Sequence, residues 1–189
     1  MTSQALYFGF LILLSAERCV ELAISRANAR VAFENGAFEV GQRHYRFMAL
    51  LHTLFFLSCA AEVHFLERPF AGNIGYVVLV CALLGQALRY SAVSALGRRW
   101  NVRIIVWPLA EPVATGPYRF VRHPNYLAVG IELAAIPLVH GAFLTALVFS
   151  IGNVIVLSVR IREEERALGE RYAETFRDRP RFIPRFFGG

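Results

Sequence analysis

Three long apolar stretches constrain this chain more than any other feature of its sequence. They run from Ala5 to Ile24, from Phe47 to Leu66 and from Ile74 to Leu96. A helix needs about 20 apolar residues to cross the hydrocarbon core of a bilayer, and each stretch has that length. Because 56% of the 189 residues are hydrophobic, the chain is also too apolar for an ordinary soluble domain. The sequence therefore predicts an integral membrane protein.

Two shorter apolar segments follow, Tyr126–Val139 and Phe143–Val159. Only the tight turn His140-Gly141-Ala142 separates them, so they predict two antiparallel helices joined as a hairpin. Together with the three long stretches, they give about five transmembrane helices.

The arginines predict how these helices are oriented. All twenty basic residues are arginines, and seventeen of them lie in three polar stretches, residues 25–46, 97–125 and 160–189. Five spans place these stretches on one side of the membrane, whereas four spans would split them between both sides. The positive-inside rule then puts the C-terminus in the cytoplasm and the N-terminus outside. This clustering indicates membrane topology rather than a nucleic-acid partner.

The C-terminal stretch has a pattern of its own. Leu168, Tyr172 and Phe176 recur every four residues, which predicts a cytoplasmic amphipathic helix that ends at Pro180. Beyond it, apolar side chains alternate with arginines, as in a segment that contacts membrane lipids at the headgroups; they are Phe182, Ile183, Phe186 and Phe187. The predicted fold class is an all-α integral membrane protein with about five transmembrane helices, the last two a hairpin, plus this helix.

Ionisable side chains inside the apolar stretches are candidates for function, because a charge is costly inside a bilayer. They are His52, Glu62, His64, Arg89 and Glu132. Glu62 and His64 lie near a predicted membrane edge, where solvation or pairing is the simpler interpretation. Arg89 lies one helical turn from Gln86, and its planar guanidinium suits a substrate carboxylate or enolate. A buried pair with Glu62 or Glu132 is the alternative.

The densest cluster of special residues is GPYRFVRHPNY, residues 116–126, directly before the first helix of the hairpin. Pro124 suits the first turn of that helix, where free backbone amides favour an anionic or polar ligand group. The three cysteines lack the spacing of a metal site, so no metal is expected.

At the far end of the hairpin, Arg160 and Glu164 are four residues apart and continue the stripe of Leu168. They therefore share the inward face of the helix, whereas Glu163 and Glu165 should project to either side. The Arg160–Glu164 pair is either a simple intrahelical contact or, beside a cationic ligand, a binding group.

The order of GPYRFVRHPNY, a hairpin and RIREEERAL resembles the isoprenylcysteine carboxyl methyltransferase family, in which RHPxY precedes a Glu-Glu pair. Here 37 residues separate Tyr126 from Glu164. The resemblance covers about residues 85–187 of a single domain, 1–189, whose residues 1–84 form N-terminal helices. It implies S-adenosylmethionine bound in a cytoplasmic pocket of a helical membrane fold. The implied cofactor contacts are Tyr118, Arg122, His123, Pro124, Tyr126, Arg160 and Glu164.

In that family, the third membrane helix from the end carries Gly-Glu and then Leu-Arg, and its Arg and Glu are associated with the prenylcysteine substrate and catalysis. The matching run here is Gly85-Gln86-Ala87-Leu88-Arg89. The resemblance thus implies a catalytic site at Arg89 and Gln86. Because Gln86 replaces the carboxylate, an acceptor other than isoprenylcysteine is expected.

The segments ERCVELAISRANAR, GAFEVGQRHYRFM and LGRRWNVRIIVWP look like a bacterial subgroup of the family that accompanies type III polyketide synthases. Its members methylate the hydroxyl of long-chain alkylpyrones or alkylresorcinols. This implies a lipophilic substrate, a type III polyketide synthase that supplies it, and a location in the bacterial cytoplasmic membrane. Two other functions stay open: carboxyl methylation of isoprenylcysteine, and a small transporter whose intramembrane charges form an ion path.

Overall fold

The computed structural model describes residues 2–184, with only the backbone described at Arg43 and His44. Within that range the chain forms five α-helices, at the five places predicted from the apolar segments. The helices and strands are α1 Ser3–Glu34, β1 Phe38–Val40, α2 Gln42–Phe65, α3 Gly72–Leu96, β2 Ile104–Val106, α4 Pro124–Leu138 and α5 Phe143–Thr175. The prediction of a helical membrane fold is confirmed.

Three regions are long and apolar enough to cross a membrane, and they lie in α2, in α3 with the turn after it, and in α5. α4 is apolar but has only 15 residues. α1 carries Glu17, Arg18 and Glu21, which reduce its hydropathy. The chain is therefore an integral membrane protein, while the count of five spans and their orientation stay predictions.

The two short strands are an addition to the predicted helices. β1 and β2 pair antiparallel, with Phe38 opposite Val106 and Val40 opposite Ile104. Each strand has three residues, too few for an alternating pattern to be visible in the sequence. The pairing ties the loop between α1 and α2 to the loop between α3 and α4.

The hairpin of α4 and α5 is confirmed, and residues 139–142 form its turn. Gly141 has a φ of 62°, in the left-handed region that suits glycine. This backbone conformation lets the chain reverse within a few residues and start α5 directly.

Glu62 of α2 anchors the start of α5. Its carboxylate accepts hydrogen bonds from the amides of Leu144 and Thr145, at 3.3 and 2.7 Å, and from the Thr145 hydroxyl at 2.8 Å. Arg68 lies 3.1 Å from the same carboxylate. A carboxylate at a helix N-terminus satisfies free amides and meets the positive end of the helix dipole. The paired interpretation of Glu62 is therefore correct.

The predicted C-terminal helix is a continuation of α5 rather than a separate element. α5 runs for 33 residues, with a break at Gly169, whose φ of 72° and ψ of −164° are accessible essentially to glycine alone. The prediction that the helix ends at Pro180 is wrong, because it ends at Thr175. Phe176 then leaves the helical conformation. Its side chain is buried in a small apolar cluster with Ala92, Tyr118 and Tyr172.

The apolar tail is described only in part. Phe182 is half-buried, with its ring 6.4 Å from that of His123, and Ile183 is exposed. Phe186 and Phe187 lie outside the described residues, so contact of this segment with lipid headgroups stays a prediction.

The main core lies between α1, α2 and α4. Its buried apolar members include Tyr7, Leu11, Leu14, Phe55, Cys59, Val63, Leu133 and Ile136. Many large apolar side chains point outward instead, among them Ile12, Leu13, Leu57, Val77, Leu84 and Val154. Exposure of such residues along whole helices is expected where lipid, not water, surrounds the protein.

Gly75 allows α3 to approach the end of α4 closely. A β-carbon at this position would lie 2.8 Å from the Phe70 ring and 3.1 Å from the Val139 carbonyl oxygen. Gly75→Ala should therefore lower the free energy of unfolding by about 1–3 kcal/mol. Gly9→Ala in α1 is the matched control, because no atom lies within 4 Å of its β-carbon. Equal thermal midpoints for the two variants in detergent would contradict this packing.

Candidate active site

A large cavity of about 860 Å³ lies between the helices and the loop that precedes α4. We call the part lined by Tyr118, Tyr126 and Glu164 its loop end, and the part lined by Cys19 and Phe56 its helix end. Its volume is within the range of small-molecule sites. Seven predicted site residues line it: Arg89, Tyr118, Arg122, His123, Tyr126, Arg160 and Glu164. The other two, Gln86 and Pro124, are not among its described lining residues.

Arg160, Tyr126 and Glu164 form a hydrogen-bonded chain at the loop end. Arg160 Nε donates to the Tyr126 hydroxyl at 2.8 Å, and that hydroxyl donates to Glu164 Oε2. Arg160 Nη2 donates to the Val102 carbonyl oxygen at 2.8 Å, which fixes the guanidinium against the α3–α4 loop. The shared helical face predicted for Arg160 and Glu164 is therefore present, and the RHPNY segment supplies the tyrosine between them.

Two buried polar atoms at the loop end have no hydrogen-bond partner among the side chains and backbone that the structure describes. They are Arg160 Nη1 and Asn125 Oδ1, and both residues line the cavity. Arg160 is only 3% exposed, and an unpaired donor is costly at such a depth. The cavity thus offers a bound ligand one buried donor and one buried acceptor.

Aromatic rings enclose the same end. The His123 ring stacks on Tyr126, with centroids 5.3 Å apart and an angle of 18° between the planes. Tyr118 and Tyr172 are also buried and line the cavity. Burial, followed by the charge of Glu164, raises the pKa of Tyr118, so its phenol stays neutral.

Glu165 is not among the described residues that line the cavity, but it contacts His123 beside it. Its carboxylate lies 3.0 Å from His123 Nε2 and accepts hydrogen bonds from Arg181 at 2.5 and 3.0 Å. Burial alone would raise the pKa of Glu165, but the hydrogen bonds from His123 and Arg181 outweigh it and lower the pKa to about 2. The partners lie in distant segments, so helical spacing alone does not reveal this role.

The C-terminal segment docks on the RHP motif through its backbone. The amides of Arg122 and His123 donate to the carbonyl oxygens of Pro180 and Arg181, at 2.9 and 3.1 Å. Arg122 Nε donates to the Arg179 carbonyl oxygen at 2.7 Å. The family resemblance implies that Arg122 contacts the cofactor. In the structure, part of its guanidinium instead hydrogen-bonds this segment.

Arg89 carries its charge among the helices that line the cavity, but it is not a free cation. Its Nε and Nη2 donate to the two carboxylate oxygens of Glu21 at 2.9 and 2.6 Å. Glu132 lies 3.7 Å from its Nη1, whereas Glu62 pairs with Arg68 instead. Of the two partners predicted for Arg89, Glu132 is nearby and Glu62 is not. The shorter contact is with Glu21, which the sequence did not predict.

Glu21 belongs to a charged group on α1 that also holds Gln86. The Gln86 amide donates to Glu17 and accepts a hydrogen bond from Arg18 at 3.0 Å. Arg18 in turn donates to Glu21 at 2.8 Å. The sequence does contain a signal for this group, because three charged residues within about one helical turn interrupt an apolar stretch.

The fold and the site define a helical membrane protein with a large cavity that extends from the membrane helices to the loop before α4. The model of the isoprenylcysteine carboxyl methyltransferase family matches residues 77–170, which include Arg89, the RHPNY segment, the hairpin and Glu164. The chain belongs to this family, a family of membrane methyltransferases.

Two relatives extend the similarity over most of the chain. The uncharacterized protein YpbQ of Bacillus subtilis is 39% identical over 166 residues, which cover 87% of this chain and 98% of the relative. An uncharacterized protein of Haemophilus influenzae is 28% identical over 163 residues, or 85% and 93% of the two chains. The names of these relatives give no substrate, so the acceptor is inferred from the chemistry of the cavity.

Glu165→Gln should loosen the C-terminal segment, because an amide cannot form the ion pair with Arg181. The lowered pKa means that this contribution is present above about pH 4.5 and is lost only as the pH falls toward 2. At neutral pH, trypsin should therefore cut after Arg177 or Arg181 several-fold faster than in the wild type. The control is Glu163→Gln, whose carboxylate contacts Arg166 at 3.4 Å on the surface. Equal cleavage of both variants would contradict this docking.

Proposed function

We propose that the protein is an S-adenosylmethionine-dependent O-methyltransferase that acts in the membrane on the hydroxyl of a long-chain alkylpyrone or alkylresorcinol. The observation that carries the proposal is the continuous cavity from the membrane helices to the RHPNY loop. A lipophilic acceptor and a water-soluble methyl donor need one site with an apolar end and a polar end. Membership of a methyltransferase family supports the reaction type.

The loop end suits S-adenosylmethionine, which supplies an electrophilic methyl group on a sulfonium cation. The unpaired N–H of Arg160 suits a carboxylate or hydroxyl oxygen, and Asn125 Oδ1 suits an N–H donor. The Glu164 carboxylate attracts a cation, and it is held by the Tyr126 hydroxyl. His123, stacked on the Tyr126 ring and held by Glu165, keeps the tyrosine in place.

The helix end suits an alkyl chain. One face of α2 lines the cavity over three helical turns, with Tyr45, Met48, Ala49, His52, Thr53, Phe56 and Leu57. The spacing of these residues is that of a single helical stripe. An alkyl tail against Phe56 and Leu57 would leave the polar head of the acceptor between His52 and Arg89, on the way to the loop end.

Methyl transfer is an in-line displacement, so the protein contributes mainly by alignment and by its charges. Holding the two reactants in line replaces a bimolecular encounter with a unimolecular step. Arg89 Nη1, which lies 3.7 Å from Glu132 and donates no hydrogen bond to a described residue, would stabilise negative charge on the acceptor oxygen. The Glu21 pair fixes the direction of the guanidinium and also moderates its charge.

Gln86 supports an acceptor other than isoprenylcysteine, because its amide is engaged with Glu17 and Arg18 and offers no carboxylate. A long-chain polyketide would partition into the bilayer, and a type III polyketide synthase would supply it. The arginine distribution supports a bacterial cytoplasmic membrane with the N-terminus outside and the C-terminus in the cytoplasm.

Glu164→Gln should weaken S-adenosylmethionine binding by about tenfold or more, since it removes a charge that faces the cation. Glu163→Gln changes a neighbouring carboxylate that does not line the cavity, and it should leave the affinity as in the wild type. Isothermal calorimetry in detergent compares the two. The same affinity for both variants would show that Glu164 does not contact the cofactor.

Labelled methyl transfer in membranes tests the acceptor. A long-chain hydroxypyrone or alkylresorcinol should accept label from S-adenosylmethionine, and farnesylcysteine should accept little or none. A preference for farnesylcysteine would restore isoprenylcysteine as the substrate. No transfer to any of the three, in protein that binds the cofactor, would contradict a lipophilic hydroxyl acceptor.

A further inference from the structure

His52 lies near the middle of α2 and lines the cavity. Its Nδ1 is 2.8 Å from the carbonyl oxygen of Met48, one helical turn earlier. A carbonyl oxygen can only accept a hydrogen bond, so Nδ1 carries the hydrogen of this contact. In a neutral imidazole the lone pair then belongs to Nε2. No described residue donates a hydrogen bond to Nε2.

His52 lies on the face of α2 that lines the cavity, between Met48 and Phe56, each about one helical turn away. Phe56 lines the helix end. His52 also lines a small pocket together with Arg18 and Arg89. The polar head of an acceptor whose tail lies against Phe56 would therefore meet the imidazole and a guanidinium together.

The carboxylates nearby are less able to accept a proton. Both oxygens of Glu21 accept hydrogen bonds from Arg89, and one also accepts from Arg18. Glu17 accepts from Gln86. Glu132 lines the small pocket but is not among the described residues that line the large cavity. Its Oε1 accepts no hydrogen bond from the described residues, but its carboxylate lies 4.0 and 3.7 Å from the cations Arg18 and Arg89, which disfavour protonation. Among the bases at this depth that line the large cavity, His52 Nε2 is the one that no hydrogen bond from the described residues occupies.

We propose that His52 is the general base that removes the proton from the acceptor hydroxyl, a role that rests on the proposed function. The oxygen–hydrogen bond breaks and the proton goes to Nε2. The oxygen then bonds to the methyl carbon as the bond between that carbon and sulfur breaks. One positive charge is lost at sulfur and one is gained on the imidazole, so charge balances. The imidazolium returns its proton to water when the products leave.

A base matters for a weakly acidic acceptor. A resorcinol hydroxyl, like that of tyrosine, titrates near 10, so only about one molecule in a thousand is ionised at neutral pH. A hydroxypyrone is acidic enough to ionise without help. Since a positioned general base typically contributes about 10²–10⁴-fold, His52 should matter for the first acceptor and little for the second.

The test compares wild type, His52→Gln and His64→Gln in lipid bilayers, each with an alkylresorcinol and with a hydroxypyrone that is ionised at the assay pH. His52→Gln should lower kcat for the resorcinol by about 10²-fold or more and should change kcat for the pyrone far less. KM for both acceptors and calorimetric affinity for S-adenosylmethionine should stay as in the wild type. His64→Gln is the matched control, because His64 is exposed on the same helix and does not line the cavity.

The following outcomes would contradict the role of His52 as general base. An equal loss for both acceptors, or no loss for either, would overturn the role. Loss of cofactor binding in His52→Gln would make His52 a structural residue. If the wild type methylates the ionised pyrone but not the resorcinol, its acceptor has no proton for His52 to remove, and the role is contradicted. A wild type that methylates neither acceptor would contradict the proposed function itself, and the role of His52 with it.

Discussion

The ion pair between Arg89 and Glu21 is the interaction on which the membrane half of the structure depends. A guanidinium among apolar helices loses its hydration, which costs several kcal/mol per ion unless a carboxylate compensates. Here Glu21 on α1 does so through two hydrogen bonds of 2.9 and 2.6 Å to Arg89 on α3. Arg18, Glu132 and the Gln86 contact extend the same network to α4. The position of α1 against the other helices therefore follows from charge as well as from its apolar face.

This network also determines what the cavity can accommodate. The lining of the cavity combines the charged residues Arg18, Glu21 and Arg89, an apolar face of α2, and the aromatic and acidic residues of the loop end. A lipophilic molecule can place its tail among the helices only with its polar head near Arg89 and His52. Under the proposed function, a cationic cofactor at the loop end would meet the Glu164 carboxylate and the unpaired N–H of Arg160. The lining of the cavity thus favours transfer between a soluble donor and a membrane-held acceptor.

The sequence predicts the helices well because each is specified locally by a run of apolar residues. It also brings Arg160 and Glu164 together, since both lie on one helix at a fixed spacing. It misses Glu165 and Glu21, whose partners lie in other segments of the chain, and so their roles depend on tertiary packing. Gly169 is missed for another reason: a single glycine within a helical pattern is compatible with either a continuous or an interrupted helix.

Photocrosslinking of labelled S-adenosylmethionine to the protein in bilayers tests the central claim most directly. The claim is that the loop end of the cavity binds the cofactor. The label should be found on peptides that contain residues 118–126 or 160–176, and excess S-adenosylhomocysteine should displace it. Displaceable label confined to other parts of the chain, or no displaceable label at all, would contradict the claim.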